Sequence, residues 1–252
     1  MARVSDFLSF IDSLSPFTMQ EKWDNSGMLI GDENREVTRA AVVLDITTQA
    51  VEYASQLGAE LIISHHPVIF KAQKSFLKGN IAYEMASKGI SAICAHTCLD
   101  SAEGGVNDVL SGILEIENAE VFPCEECETM VRVGVLPRRM SCYELAAHIK
   151  ERLGGNVRFN ETDRMIESVA ICGGSGCSFK EDIIKAGIDA YITGDAGHHD
   201  FLDCTEAGLA LFAAGHFETE NPVVSSIANK LRLKFPDTDI LLIPQSSPIQ
   251  TL

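Results

Sequence analysis

A chain of 252 residues with 46% hydrophobic and 22% charged side chains carries enough apolar material for one large domain or two ordinary ones. Its net charge of −16 argues against a nucleic-acid partner, because such binding rests on Lys and Arg neutralising phosphates. No apolar run reaches the ~18–20 residues of a membrane span, and the start Met1-Ala2-Arg3-Val4-Ser5-Asp6 lacks a signal-peptide core, so a soluble, cytoplasmic chain is expected.

In chain order, Val4, Phe7, Leu8, Ile11 and Leu14 make a helical stripe that ends before Pro16. Residues 40–44 read as a short buried strand, residues 48–57 as a helix stopped by Gly58, and Leu61-Ile62-Ile63 as the next strand. The same order returns in the second half, with a strand at 169–172, a helix at 179–186, a stop at Gly187 and a strand at 191–193. Gly89 and Gly208 each open an apolar strand that exits on a histidine, His96 and His216. Residues 143–153 carry a helical pattern, residues 222–233 a last helix and residues 240–243 a last strand. Alternation of this kind predicts an α/β fold built as two similar α/β domains by internal duplication. The acidic run at 115–128 reads as the solvated seam, which divides the chain into 1–122 and 123–252, with terminal elements free to cross over.

Eight cysteines do not form the dense framework of a small secreted domain. Cys94, Cys98, Cys172 and Cys204 lie in or beside apolar segments and read as buried thiols. A zinc knot joining Cys124-x-x-Cys127 to Cys172 and Cys177 is disfavoured, since structural sites prefer two tight pairs.

The chemistry collects at strand ends. His65-His66-Pro67 closes the strand at 61–63, His96 and Asp100 follow the strand at 92–95, and His216 and Glu220 follow the strand at 209–214. Ligands in open α/β sheets sit outside the carboxyl ends of the strands. Both His65 and His66 serve one site only if the strand has ended, which Pro67 favours. His216 and Glu220, four apart, share a face if the chain enters a helix there.

Five candidate ligands, with His96 as a sixth or as a proton shuttle, fit two ions better than one. The nitrogen and oxygen set suits zinc, iron, manganese or cobalt. Gly173-Gly174-Ser175-Gly176, between a strand and a helix, reads either as a tight turn or as a cradle for a substrate anion. His198-His199-Asp200 reads as the second-half counterpart of His65-His66-Pro67, with His199 a substrate-facing candidate. His148 reads as structural.

Taken together, several landmarks resemble the NGG-interacting-factor-three-like family, often labelled GTP cyclohydrolase 1 type 2. They are Trp23-Asp24-Asn25-Ser26-Gly27, Ser64-His65-His66-Pro67, His96-Thr97-Cys98-Leu99-Asp100 with Gly104-Gly105-Val106-Asn107, Gly173-Gly174-Ser175-Gly176, Thr193-Gly194-Asp195 with His199-Asp200, and Ala214-Gly215-His216 with Glu220. The resemblance implies that His65, His66, Asp100, His216 and Glu220 hold two divalent ions per chain in a cleft between two similar domains. It further implies a toroidal homohexamer, here in a compact form without the domain that longer members insert. Cys98 stands where such chains usually have Asn, and His198 where an aromatic is common. The expected function is that of a metal-dependent hydrolase acting on a small molecule, with a nucleotide as one candidate. The alternative is a non-catalytic metal-binding scaffold or adaptor.

Overall fold

The computed structural model describes residues 1–250 and divides into two compact units, one of 1–103 with 224–246 and one of 104–223 with the C-terminal segment from 247. The first holds α1 (Val4–Leu14), β1 (Gly27–Ile30), β2 (Arg39–Val43), α2 (Thr48–Gln56), β3 (Leu61–Ser64), α3 (Ile81–Ser87), β4 (Ser91–Cys94) and α4 (Thr97–Ser101). The second holds α5 (Val106–Ile113), β5 (Glu117–Val121), β6 (Arg132–Met140), α6 (Cys142–Leu153), β7 (Arg158–Phe159), β8 (Ile166–Cys172), α7 (Lys180–Ala186), β9 (Ala190–Thr193), α8 (His198–Ala207), β10 (Ala210–Ala213) and α9 (His216–Glu220). Helix α10 (Pro222–Lys234) and strand β11 (Asp239–Leu242) complete the chain.

The first sheet runs β1-β4-β3-β2-β11. Its three inner pairings with β11 are parallel, and β1 closes the edge antiparallel to β4. The second sheet runs β5-β6-β8-β9-β10-β7. Its core β8-β9-β10 is parallel, while β5, β6 and β7 pair antiparallel around it.

The duplicated unit is thus a set of three adjacent parallel strands, β2-β3-β4 in one unit and β8-β9-β10 in the other. Strand β11, near the end of the chain, returns to the first sheet beside β2. The seam lies earlier than the acidic run, at Glu103/Gly104. The physical reason is that Leu110 and Leu114, in and after α5, are buried among β6 and β8 residues of the second unit.

Period-two burial makes the second sheet a wall with two dry faces. Val169, Ile171, Ala190, Ile192, Ala210 and Phe212 enter one core with Leu145 and Ile149 of α6. Their neighbours Ala170, Cys172, Tyr191 and Leu211 enter the other with Phe179 and Ile183. Successive side chains of a strand point to opposite faces, so continuous apolar runs are what a strand covered on both sides requires. In the first unit Ala41, Val43 and Ile62 pack with Val51, Ala54 and Met85. Gly187, in the left-handed region at φ 71°, ends α7 as the sequence predicts.

None of the eight cysteines is joined in a disulfide. Cys124, Cys172 and Cys204 are buried in the second core with Cys127 and Cys177 packed against it. Among the described residues no group of three cysteines has metal-binding geometry, and burial pushes the Cys177 thiol up to about 12. Among the described residues, no helix is long and apolar enough to cross a membrane.

Candidate metal centre

The parallel registers bring the chemistry-bearing residues to the carboxyl ends of their sheets. In the first unit Val43, Ser64 and Cys94 are register partners. The next residues out are Asp45 after β2, His65 and His66 after β3, and His96 after β4. The strand does end before the histidine pair. Ser64 Oγ donates to the His66 carbonyl at 2.8 Å and turns the chain, so both rings reach the same place. Their centroids lie 4.9 Å apart, and the His96 ring stands 5.2 Å from His65 and 5.4 Å from His66. These three rings offer one nitrogen each within a span small enough to hold a cation. Asp100 joins them from α4, with Oδ1 3.6 Å from His65 Nε2.

Each imidazole is oriented through Nδ1. His65 Nδ1 faces the Ala95 carbonyl at 2.9 Å, His66 Nδ1 faces Asp45 Oδ1 at 2.7 Å, and His96 Nδ1 faces Asp24 Oδ1 at 2.8 Å. An N–H held by an oxygen at Nδ1 fixes the tautomer that presents the Nε2 lone pair.

Asp24 is the most connected of these carboxylates. Beyond His96 it accepts the Asn25 amide at 2.7 Å, the Ser26 hydroxyl at 3.1 Å and the Thr97 amide at 3.0 Å. Its side chain is fully buried. Burial alone would raise its pKa, but the hydrogen bonds from His96 and Thr97 outweigh that and hold the carboxyl well below the usual range.

The second unit repeats the device. Thr193 and Ala213 are register partners at the ends of β9 and β10. Asp195 follows the first and His216 follows the second, with His216 Nδ1 2.7 Å from Asp195 Oδ2. Helix α9 does put His216 and Glu220 on one face, with Nε2 3.1 Å from Glu220 Oε2. That separation is close to the ~3.3 Å edge between two atoms bound to one tetrahedral ion at ~2.0–2.1 Å. The Glu220 carboxylate raises the His216 pKa to about 9 against the effect of burial, with Asp195 adding to the rise. A metal ion would displace the proton that such a pair shares.

The donor set therefore fits a borderline divalent cation. Imidazoles present Nε2, carboxylates stand beside them, and oxygen partners lock the rings.

Sequence reasoning missed Asp24, Asp45 and Asp195 as the groups that aim these rings. It also misplaced the counterpart of the histidine pair. By register, Gly194 and Asp195 take the positions of His65 and His66. His198 and His199 instead open α8 and are exposed, their rings packed on each other at 5.4 Å.

In the Gly173–Gly176 turn, Gly173 N–H donates to Asn107 Oδ1 at 2.8 Å, Gly174 N–H to Thr219 Oγ1 at 3.0 Å and Gly176 N–H to Thr193 Oγ1 at 3.0 Å. Ser175 Oγ donates to Asp195 Oδ2 at 3.1 Å. With its amides so engaged, the turn packs against the site. Gly174 has a positive φ of 60°, and a Cβ there would overlap Glu220 Oε1, so only glycine lets this carboxylate lie where it does. His148 Nε2 donates to the Leu114 carbonyl at 3.0 Å and takes no part in this cluster.

Comparison with known proteins places this architecture. A sequence profile of the family described as Duf34/NIF3 (NGG1p interacting factor 3) matches residues 2–248. A Clostridium perfringens protein named GTP cyclohydrolase 1 type 2 homolog is 32% identical over 250 residues, covering 96% of this chain and 95% of its own. Among solved structures, a Staphylococcus aureus hypothetical protein superposes with a TM-score of 0.90 at 27% identity, over 99% of each chain. A Bacillus cereus protein related to NIF3 shares the fold at a TM-score of 0.91 and 22% identity, over 100% of this chain and 99% of its own.

Proposed function

We propose that this chain, which belongs to the Duf34/NIF3 family, is a dinuclear metal-dependent hydrolase of a small molecule. In this reading His65, His66, Asp100, His216 and Glu220 hold two divalent ions of the zinc, iron, manganese or cobalt type. The single observation that carries it is the Nδ1 anchoring of His65, His66, His96 and His216 on oxygen. Incidental surface histidines have no reason to share that arrangement, whereas metal-ligating ones almost always do.

Paired divalent ions would supply Lewis acidity and lower the pKa of water at the reacting centre. The remaining steps fall to side chains. His96, held in orientation by Asp24 at Nδ1, would receive or deliver a proton at Nε2. Asp45 and Asp195 would keep His66 and His216 in their ligating orientation. The nearby thiols do not compete as nucleophiles, because burial raises the Cys94 and Cys98 pKa values above their ordinary range.

The name of the curated relatives points to a cyclohydrolase, which would make a nucleotide the substrate and ring opening the reaction. A homohexameric assembly accompanies this reading by resemblance.

The test is to incubate metal-loaded protein with GTP and a panel of phosphoesters and cyclic amides, following formate and phosphate release. Turnover that falls at least ~100-fold in His96→Ala, with metal content kept, would support the enzyme and its proton-transfer role. Metal retention with no turnover on any substrate would instead favour a metal-binding scaffold.

A further inference from the structure

The first unit displays an aromatic surface that its core does not require. Trp23, the only tryptophan in the chain, is 59% exposed, and Phe70 beside it is 45% exposed. Their rings meet at 5.8 Å and 60°. Each also meets His96, Trp23 at 6.0 Å and 73°, Phe70 at 6.1 Å and 81°. Since His96 contacts His65 and His66 in turn, five rings run without a break from the metal-type imidazoles to solvent.

The indole is held from below. Asp24 and Asn25 fix its backbone neighbours, and Asn25 Nδ2 donates to the Ile69 carbonyl at 2.5 Å, tying the Trp23 loop to the Phe70 loop. Edge-to-face contacts of this kind are a preferred ring geometry. They hold the Trp23 ring beside Phe70 and His96 while more than half of the residue stays open to solvent.

Charge adds a second observation. Residues 67–83 contain Lys71, Lys74 and Lys78 and no Asp or Glu, in a chain whose net charge is −16. A local cationic segment on an acidic protein steers anions toward it.

We infer that Trp23 and Phe70 form the substrate-recognition face of this protein, taking by ring stacking a planar heteroaromatic anion whose reacting part is delivered to His96 and the neighbouring ligands. The inference deepens the hydrolase reading and rests on it for its link to turnover, yet binding itself is measurable without turnover. Stacking supplies affinity that depends little on the identity of the ring. The lysine segment selects for the charge.

Because Trp23 is the only tryptophan, its fluorescence reports this face alone. The full-length protein as purified is titrated with guanosine 5′-monophosphate, with guanosine and with ribose 5-phosphate. The nucleotide is expected to quench Trp23 saturably, guanosine to do so more weakly and ribose 5-phosphate not at all. Phe70→Leu keeps an apolar side chain but removes the ring, and should weaken nucleotide binding about tenfold, with Phe70→Tyr restoring it. Metal content measured on the same samples should be unchanged in both variants. Loss of metal in the unmodified protein would remove the hydrolase reading and leave the stacking result standing. Normal metal content with no saturable quenching, or with Phe70→Leu equal to the parent, would overturn the inference. So would acrylamide failing to reach Trp23 in the free protein, which would show that a second copy covers the face.

Discussion

Replacing Asp24 with Ala is expected to destabilise the protein by about 3 kcal/mol or more, lowering the melting temperature by roughly 6–12 °C for a chain of this size. One substitution strands the Asn25 and Thr97 amides, two hydroxyls and the His96 ring at a fully buried position. Buried donors without an acceptor lose their full solvation. Asp24→Asn should be milder but still damaging, because an amide retains one acceptor oxygen and turns an N–H₂ toward donors.

The pH dependence follows from the sign of the shift. The Asp24 pKa is depressed in the folded protein, so its contribution is complete above the unfolded carboxylate value of about 4 and is lost as pH falls from there toward the lower folded value. The stability gap between parent and Asp24→Ala should therefore be constant near neutrality and narrow below about pH 4. Thermal denaturation across that range measures it. A variant within about 1 kcal/mol of the parent at pH 7 would refute the role given to this carboxylate.

Asp45→Ala and Asp195→Ala are expected to weaken metal retention about 10–100-fold while leaving the fold intact. Both side chains are close to half exposed, so little packing is lost. What goes is the oxygen that holds Nδ1 of His66 or His216. The corresponding Asn variants keep an acceptor oxygen and should lose less. Competition with a chelator of known affinity measures the effect, and equal retention in Asp195→Ala and the parent would show that the carboxylate does not act on the metal.

Much of this arrangement is legible in the sequence because its signals are local. Continuous apolar runs such as 190–193 announce buried parallel strands. The pairs His65-His66 and His216-x-x-x-Glu220 need only the end of a strand or one turn of helix to bring their members together. The three aiming carboxylates have no such local signal. Asp24 stands 72 residues from His96, while Asp45 and Asp195 each stand 21 residues before the histidine they hold.

That shared spacing of 21 has a structural cause. Asp45 and Asp195 leave strands β2 and β9 two residues past the end, and their histidines leave the parallel neighbours β3 and β10. An acid at the exit of the strand preceding a histidine exit is thus a readable signal once the parallel order is known. Strand β6 was illegible for a different reason. Pro137, Arg138 and Arg139 interrupt its apolar alternation, and the ladder with β8 shifts register between Val135 and Met140, as expected where Pro sits in a strand. Exposure of His198 and His199 could not be read from their resemblance to His65 and His66, since they form the first turn of helix α8 instead of following directly on a strand.

The central claim is that His65, His66, Asp100, His216 and Glu220 hold metal, and metal analysis of the full-length protein tests it most directly. Protein loaded with zinc, manganese, iron or cobalt and then desalted should carry up to two ions per chain. Asp100→Ala and His216→Ala, chosen from the two units, should each lower that number while circular dichroism shows the fold retained. Unchanged stoichiometry in both variants would contradict the account.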